Sequence, residues 1–223
     1  RANYLYAGAA DLYLETRQQE LLEPLLACWQ SVQQRKIYVT GGCGALYDGA
    51  SPDGSDKQST ITRIHQAYGR DFQLPNSTAH NETCAAIGNV LWNQRMWCIT
   101  REAKYVDALE NSLYNAVLAG VSLDGQRFFY TNTLRQLDEM PTKLRWSRQR
   151  EAWISCYCCP PNVARTVAQV NRLAYSVDRN STNVLLYGSN RLTQQLEGDS
   201  MIELEQTSDY PLSGSVQLKV VQA

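Results

Sequence analysis

Apolar residues recur at helical spacing over most of the first 176 positions and give way to alternation after about residue 180. Residues 1–15 (RANYLYAGAADLYLE) are rich in Ala, Leu and Tyr and predict a helix that starts abruptly, without an N-cap, as if cut from a longer one. Thr16 and Gln19 stand at capping-box spacing and predict a second helix through about Gln34, with Leu21, Leu22, Leu25, Leu26, Trp29 and Val32 on its apolar face. Pro24 should kink that helix or delay its start. A third helix is expected from about Ala85 to Thr100, with Ile87, Val90, Leu91 and Met96 inward. The clearest periodicity spans Thr100 to Gly120, where Tyr105, Leu109, Leu113, Ala116 and Val117 form one stripe and Gly120 is the stop. Residues 126–131 (QRFFYT) read as a strand, and 132–152 as irregular and polar. Val163, Val167, Val170 and Ala174 predict a last helix over 162–176. Beyond it, 184–187, 201–205 and 216–221 alternate or run β-branched between Gly, Asn and Asp, as antiparallel strands do. The domain boundary is therefore expected near residue 180, with units 1–179 and 180–223. Three strands alone would not close a sandwich, so the second unit reads as the start of a larger one.

Two polar stretches interrupt this pattern. Tyr38 to Gly44 ends in a glycine-rich turn that lacks the Gly-Lys-Ser/Thr of a phosphate loop. Residues 45–62 form a Gly-, Ser- and Asp-rich loop of a length usually kept for function or insertion. The segment after it, His65 to Asn76, is dense in amides, aromatics, one His and one Arg, side chains able to grip a sugar. Of 223 residues, 19% are charged and the net charge is −1, so no basic face for nucleic acid is expected. No apolar run reaches the length of a membrane span, and no membrane partner is expected. Asn-x-Thr sequons at Asn76, Asn81 and Asn180 matter only in a glycosylating secretory route.

The chemistry is concentrated in sulfur. The seven cysteines are odd in number and clustered, which favours thiol chemistry over a disulfide framework. Cys156-Tyr157-Cys158-Cys159-Pro160-Pro161-Asn162 places three thiols before two prolines. Vicinal cysteines make a poor disulfide, because bridging them distorts the peptide between. Two neighbouring thiolates on a sharp turn can share one soft metal ion. Pro160 or Pro161 suits the first position of a helix, and a helix start favours thiolate over thiol. The competing reading is ordinary buried cysteine. Upstream, Asn81-Glu82-Thr83-Cys84 carries a carboxylate and a thiol two residues apart, able to converge if the segment is not helical. With Cys158 and Cys159 they make one carboxylate and three thiolates, a donor set for tetrahedral zinc; His80 is a competing ligand.

The segments YLYAGAADLYLET, YVTGGCGALYDG, DFQLPNSTAHNETCAAIGN, YNAVLAGVSLDGQRFFYTN and CYCCPPNVAR resemble glycoside hydrolase family 127, the β-L-arabinofuranosidases, and the similarity runs from Arg1 to about residue 221. The resemblance implies a mainly α fold: the C-terminal part of an (α/α)6 catalytic barrel over 1–179, then the start of a β-sandwich. Family members are longer, so the remaining segments of the same polypeptide are expected partners. An oligosaccharide is the expected substrate, a homodimer is left open, and a bacterial periplasm or cytoplasm is equally compatible. Glu82, Cys84, Cys158 and Cys159 match the family's Zn2+ ligands, and Cys158 matches the cysteine proposed as nucleophile. One position departs. Where the family has its acid/base glutamate, ungapped counting back from Leu74-Pro75-Asn76 gives Gln66, which cannot carry a proton. Asp71 or His65 could serve instead, or the sugar could bring its own carboxylate. Arg63 and Arg70 could grip such a group bidentately, as for an acidic pectic sugar such as aceric acid. A chain that binds glycan without hydrolysing it, or a purely structural zinc site, is the competing class.

Overall fold

The computed structural model describes residues 2–44, 68–139, 144, 146–178, 181–196 and 200–222. It is mainly helical, with a small antiparallel region near the C-terminus. The chain divides into two compact units, Arg1–Val167 and Ala168–Ala223.

The first unit is assembled on one buried helix. α1 (Ala2–Thr16) and α2 (Gln19–Arg35) come first, then α3 (Thr83–Thr100) and α4 (Ala103–Ser112). α3 packs against α1 on one side and α4 on another. Its buried residues, Ile87, Val90, Trp92, Met96 and Trp97 among them, lie all round the helix and not in a stripe. Such burial leaves its polar side chains needing partners, and Asn89 and Asn93 find them. Trp29 Nε1 donates to Asn93 Oδ1 at 2.7 Å, Gln33 Nε2 donates to Asn89 Oδ1 at 2.7 Å, and Asn89 Nδ2 donates to Ser112 Oγ at 2.8 Å. The Ser112 hydroxyl passes the chain on to Gly41 O at 3.0 Å. One polar thread thus ties α2, α3, α4 and the glycine-rich turn together.

Several expectations are corrected in detail. The capping box at Thr16 does not form: α2 has Gln18 at its N-cap with no side-chain cap, while the Thr16 hydroxyl donates back to Leu12 O at 2.8 Å. Pro24 lies inside α2 without ending it. The stripe from Tyr105 to Val117 is buried as expected, but the helix is not uniform. Arg101 is left-handed (φ 60) between α3 and α4, and α4 passes into a π-helical stretch, Leu113–Val117, and a 3₁₀ turn, Leu118–Gly120. Residues 126–131 form no ladder. Instead Phe128 bridges both Val121 and Glu151, and Thr131 bridges Glu82.

The last helix is shorter than expected. α5 covers Cys159–Ala168, Val170–Leu173 is a 3₁₀ turn, and Tyr175–Val177 is already strand. In the second unit, β1 (Tyr175–Val177) pairs antiparallel with β2 (Thr182–Val184). β3 (Asn190–Gln195), β4 (Met201–Ser208) and β5 (Val216–Gln222) form a three-stranded antiparallel sheet in that order. β1 and β3 escape the apolar pattern because one is three residues long and the other, NRLTQQ, has a single large apolar residue. Among the described residues, no helix is long and apolar enough to cross a membrane.

Candidate metal centre

Two helix starts, 76 residues apart in sequence, meet in the first unit. α3 begins at Thr83, two residues earlier than expected, so Cys84 belongs to its first turn and Glu82 is the extended residue at its N-cap. The convergence of Glu82 and Cys84 is thus a property of a helix N-terminus and not of a non-helical strand. α5 begins at Cys159, and Asn162 N donates to Cys158 O at 3.3 Å, which makes Cys158 its cap. Pro160 and Pro161 fall in the first turn, where missing N–H groups leave no intrahelical bond unmade. Both sets of donors therefore sit at the partly positive end of a helix, the end that favours carboxylate and thiolate.

The distances describe one compact group. Cys84 Sγ is 3.3 Å from Cys159 Sγ, Cys158 Sγ is 3.7 Å from Cys159 Sγ, and Cys158 Sγ is 3.8 Å from Glu82 Oε1. One donor atom from each of Glu82, Cys84, Cys158 and Cys159 lies within 4.8 Å of every other. Tetrahedral zinc with bonds of about 2.3 Å to sulfur requires sulfurs about 3.8 Å apart. The four donors fit such an ion in number, type and spacing. Glu82, Cys84 and Cys159 are buried, whereas Cys158 is half-buried.

The three thiols do not behave alike. Cys158 is pulled down to about 2 because Cys159, and after it Cys84, donate hydrogen bonds to its sulfur; burial opposes this. Cys84 is pushed up to about 12, first by its hydrogen bond to Cys158. Cys159 is pushed up strongly for the same reason. Cys158 is the sulfur that ionises first, and its two neighbours remain donors to it. Nearby, the Tyr130 phenol is raised by burial and then by the charge of Glu82, and its ring stacks on Trp146 with centroids 4.1 Å apart.

Residues around the donors hold them in place. Asn162 Nδ2 donates to Cys84 Sγ at 3.2 Å, and Arg165 fixes the amide by donating to Asn162 Oδ1 at 2.8 Å. His80 Nε2 is 3.4 Å from Glu82 Oε2, and its Nδ1 is 3.2 Å from Thr131 Oγ1. His80 therefore stands beside Glu82, outside the four-donor group. Asn81 turns the chain just before Glu82 in a left-handed conformation (φ 40), and its Nδ2 donates to Asn132 O at 3.1 Å. Its sequon is buried. Gly42 is glycine because a Cβ there would overlap the Asn81 amide; Gly41 combines φ 74 with the approach of the Ser112 backbone. The glycine-rich turn thus serves close packing behind the centre. Its cysteine, Cys43, is buried and accepts from Asn3 Nδ2 at 3.2 Å. The described cysteines are all free.

The remaining candidates lie apart or out of view. Asp71 pairs with Arg35 Nε at 3.2 Å and Lys36 Nζ at 3.5 Å beside the end of α2. The Arg70 backbone N–H donates to Gln73 Oε1 at 2.9 Å. Arg63, His65 and Gln66 lie outside the described residues. Sequence reasoning passed over Asn162, Tyr130 and Thr131. Only Asn162 had a signal available, since it stands three residues after Cys159 and four after Cys158, on the same helical face.

Known proteins carry the same arrangement of chain. The family profile described as "Beta-L-arabinofuranosidase, GH127 catalytic domain" matches residues 1–172. A "Non-reducing end beta-L-arabinofuranosidase" of Bifidobacterium longum subsp. longum is 30% identical over 223 residues, covering 99% of this chain and 31% of that protein. A solved structure titled "Glycoside hydrolase" is 50% identical with a TM-score of 0.92 over 100% of this chain and 37% of its own. A GH127 β-L-arabinofuranosidase from Geobacillus stearothermophilus T6 is 32% identical with a TM-score of 0.87, over 100% of this chain and 33% of its own. The chain spans about a third of the length of these relatives. With a family profile that spans residues 1–172, and so all four donor residues, the chain belongs to glycoside hydrolase family 127.

Proposed function

We propose that this chain is the nucleophile-bearing part of a retaining glycoside hydrolase that acts on arabinose-containing or pectic plant cell-wall glycans. In this reading, residues 1–179 form the second half of an (α/α)6 barrel, and 180–223 begin a β-sandwich. The observation that carries the proposal is the group of Glu82, Cys84, Cys158 and Cys159, three buried donors around one half-buried sulfur that ionises first. A zinc ion held by these four residues would keep Cys158 deprotonated and fixed at neutral pH, at some cost in nucleophilicity.

The rest of the chemistry belongs to the chain. The Cys158 thiolate attacks the anomeric carbon; the bond from that carbon to the leaving oxygen breaks, and the oxygen takes up a proton. Water then attacks the same carbon from the opposite side. The carbon–sulfur bond breaks, the thiolate is restored, one proton is released, and the sugar leaves with its original anomeric configuration. Cys159 and Cys84, as the neighbouring donors, would fix the place to which the thiolate returns, and Asn162 keeps Cys84 in position.

The proton donor sets the substrate. Gln66 occupies the family's acid/base position and cannot fill the role, which is typically worth about 10²–10⁴-fold. His65 is one source; Asp71 would first have to leave its pair with Arg35 and Lys36 to serve. A carboxylate on the sugar, gripped by Arg63 and Arg70, is another, and favours an acidic pectic residue such as aceric acid over β-L-arabinofuranose. Gln66 also motivates a second reading, a zinc-containing carbohydrate-binding protein without turnover. The deciding experiment incubates the protein with a β-L-arabinofuranoside or an acidic pectic fragment, quenches in acid, and analyses peptides by mass spectrometry. A glycosyl adduct on Cys158 and a product of retained configuration are expected. Sugar binding with neither adduct nor product would leave the non-hydrolytic reading.

A further inference from the structure

We propose that His80 is the positioning residue of this centre: it ties back one oxygen of Glu82 so that only the other, Oε1, faces the three sulfurs. The inference rests on the metal reading above and concerns how the carboxylate is presented. Glu82 Oε1 is 3.8 Å from Cys158 Sγ, while Oε2 is 3.4 Å from His80 Nε2. An ionised carboxylate can only accept, so Nε2–H donates to it. The other ring nitrogen, Nδ1, meets the Thr131 hydroxyl at 3.2 Å. His80, Glu82 and Thr131 are 4%, 5% and 2% exposed, too buried for water to replace these bonds freely.

The orienting group is itself held. Thr131 bridges Glu82 through the backbone, and Thr83 N donates to Tyr130 O at 3.1 Å. The hydroxyl that sets the imidazole is thus fixed to the same stretch of chain that carries the carboxylate. Thr131 Oγ1 and Glu82 Oε2 thus each engage one nitrogen of His80. This is why His80, a nitrogen donor two residues from Glu82, stands outside the donor group. With Oε2 held, Glu82 offers one oxygen, and the set closes at four donors. With His80 removed, the second oxygen is free to swing toward the sulfurs, and the carboxylate loses its single orientation.

The test measures zinc affinity by chelator competition, and the absorption spectrum of the protein loaded with Co2+, on His80→Ala, His80→Gln and Thr131→Val. Thermal unfolding confirms that each is folded. His80→Ala should lose about 10–100-fold in zinc affinity, and its cobalt bands should weaken and shift toward those of a higher coordination number. His80→Gln, which keeps an N–H donor, should recover part of both, and Thr131→Val should show a smaller loss of the same kind. Wild-type affinity and spectrum in His80→Ala would overturn the proposal. So would loss of a nitrogen ligand from the cobalt spectrum, which would make His80 a ligand itself. Should His80→Ala not fold, unchanged behaviour in both other variants overturns it. A wild-type protein that binds neither metal defeats the metal reading, and this inference with it. Wild-type binding with indifferent His80 variants defeats the positioning role alone.

Discussion

Gly120 ends the π/3₁₀ segment with no unusual backbone angle that would demand glycine, and its side chain is absent for a steric reason. A Cβ built there would lie 2.7 Å from Thr83 Cγ2 and 2.9 Å from Thr83 Oγ1. Carbon–carbon contacts are comfortable at about 3.5–4.0 Å, so Gly120→Ala is short by close to 1 Å. Neither partner can move cheaply. Gly120 O accepts from Phe129 N at 2.8 Å, Thr83 Oγ1 donates to Phe129 O at 2.9 Å, and Thr83 N donates to Tyr130 O at 3.1 Å. Overpacking of this kind costs about 1–3 kcal/mol. Thr83 stands between Glu82 and Cys84, so its displacement also moves two of the four donors. Urea unfolding should show the stability loss, and chelator competition should show weakened zinc binding. Thr83→Ser removes the nearer clash and keeps the hydroxyl. In the Gly120→Ala background it should restore part of both, with a coupling of about 0.5–3 kcal/mol in a double-mutant cycle. Wild-type stability and zinc affinity in Gly120→Ala, or strictly additive effects, would refute the reasoning.

Other consequences are open to direct measurement. In the metal-free protein, Cys158 should be alkylated by iodoacetamide at a rate nearly independent of pH between 6 and 8, because its lowered pKa keeps the thiolate present throughout that range; a tenfold rise per pH unit, followed on the Cys158 peptide, would contradict this. Asn162→Ala removes the amide donor to Cys84 and should weaken zinc binding by about 0.5–1.5 kcal/mol, roughly 2–10-fold by chelator competition. Asn93→Ala leaves the Trp29 indole N–H without its acceptor and should lower stability by about 1–3 kcal/mol in denaturant titrations, with zinc affinity unchanged.

The legible parts of this chain are those in which local composition carries the message. The stripe from Tyr105 to Val117 announced its buried face, and Cys158-Cys159-Pro160-Pro161 announced thiols at a helix start. What stayed hidden depends on contacts distant in sequence. The Thr16 capping box failed because the hydroxyl found Leu12 O instead. α3 started at Thr83 because Glu82 and Thr131 pair across the chain, which no local propensity encodes. Gly120 read as a stop signal, yet its need for glycine comes from Thr83, 37 positions earlier. β3 is too polar to stand out, and α5 gives way after Ala168 despite valines at helical spacing, two of which, Val167 and Val170, remain exposed. In the candidate site, ligand-type residues could be read from sequence and Asn162 stood on their helical face, but the aim of His80 at Glu82 depends on a contact that the sequence does not show.

The central claim is that Glu82, Cys84, Cys158 and Cys159 bind one divalent ion. Diffraction data from the crystallised protein at the zinc absorption edge test it most directly. The expected anomalous map has a single strong peak about 2.3 Å from the three sulfurs and about 2.0–2.2 Å from one Glu82 oxygen. A map with no density among these four side chains, in a protein shown to contain zinc, would contradict the account.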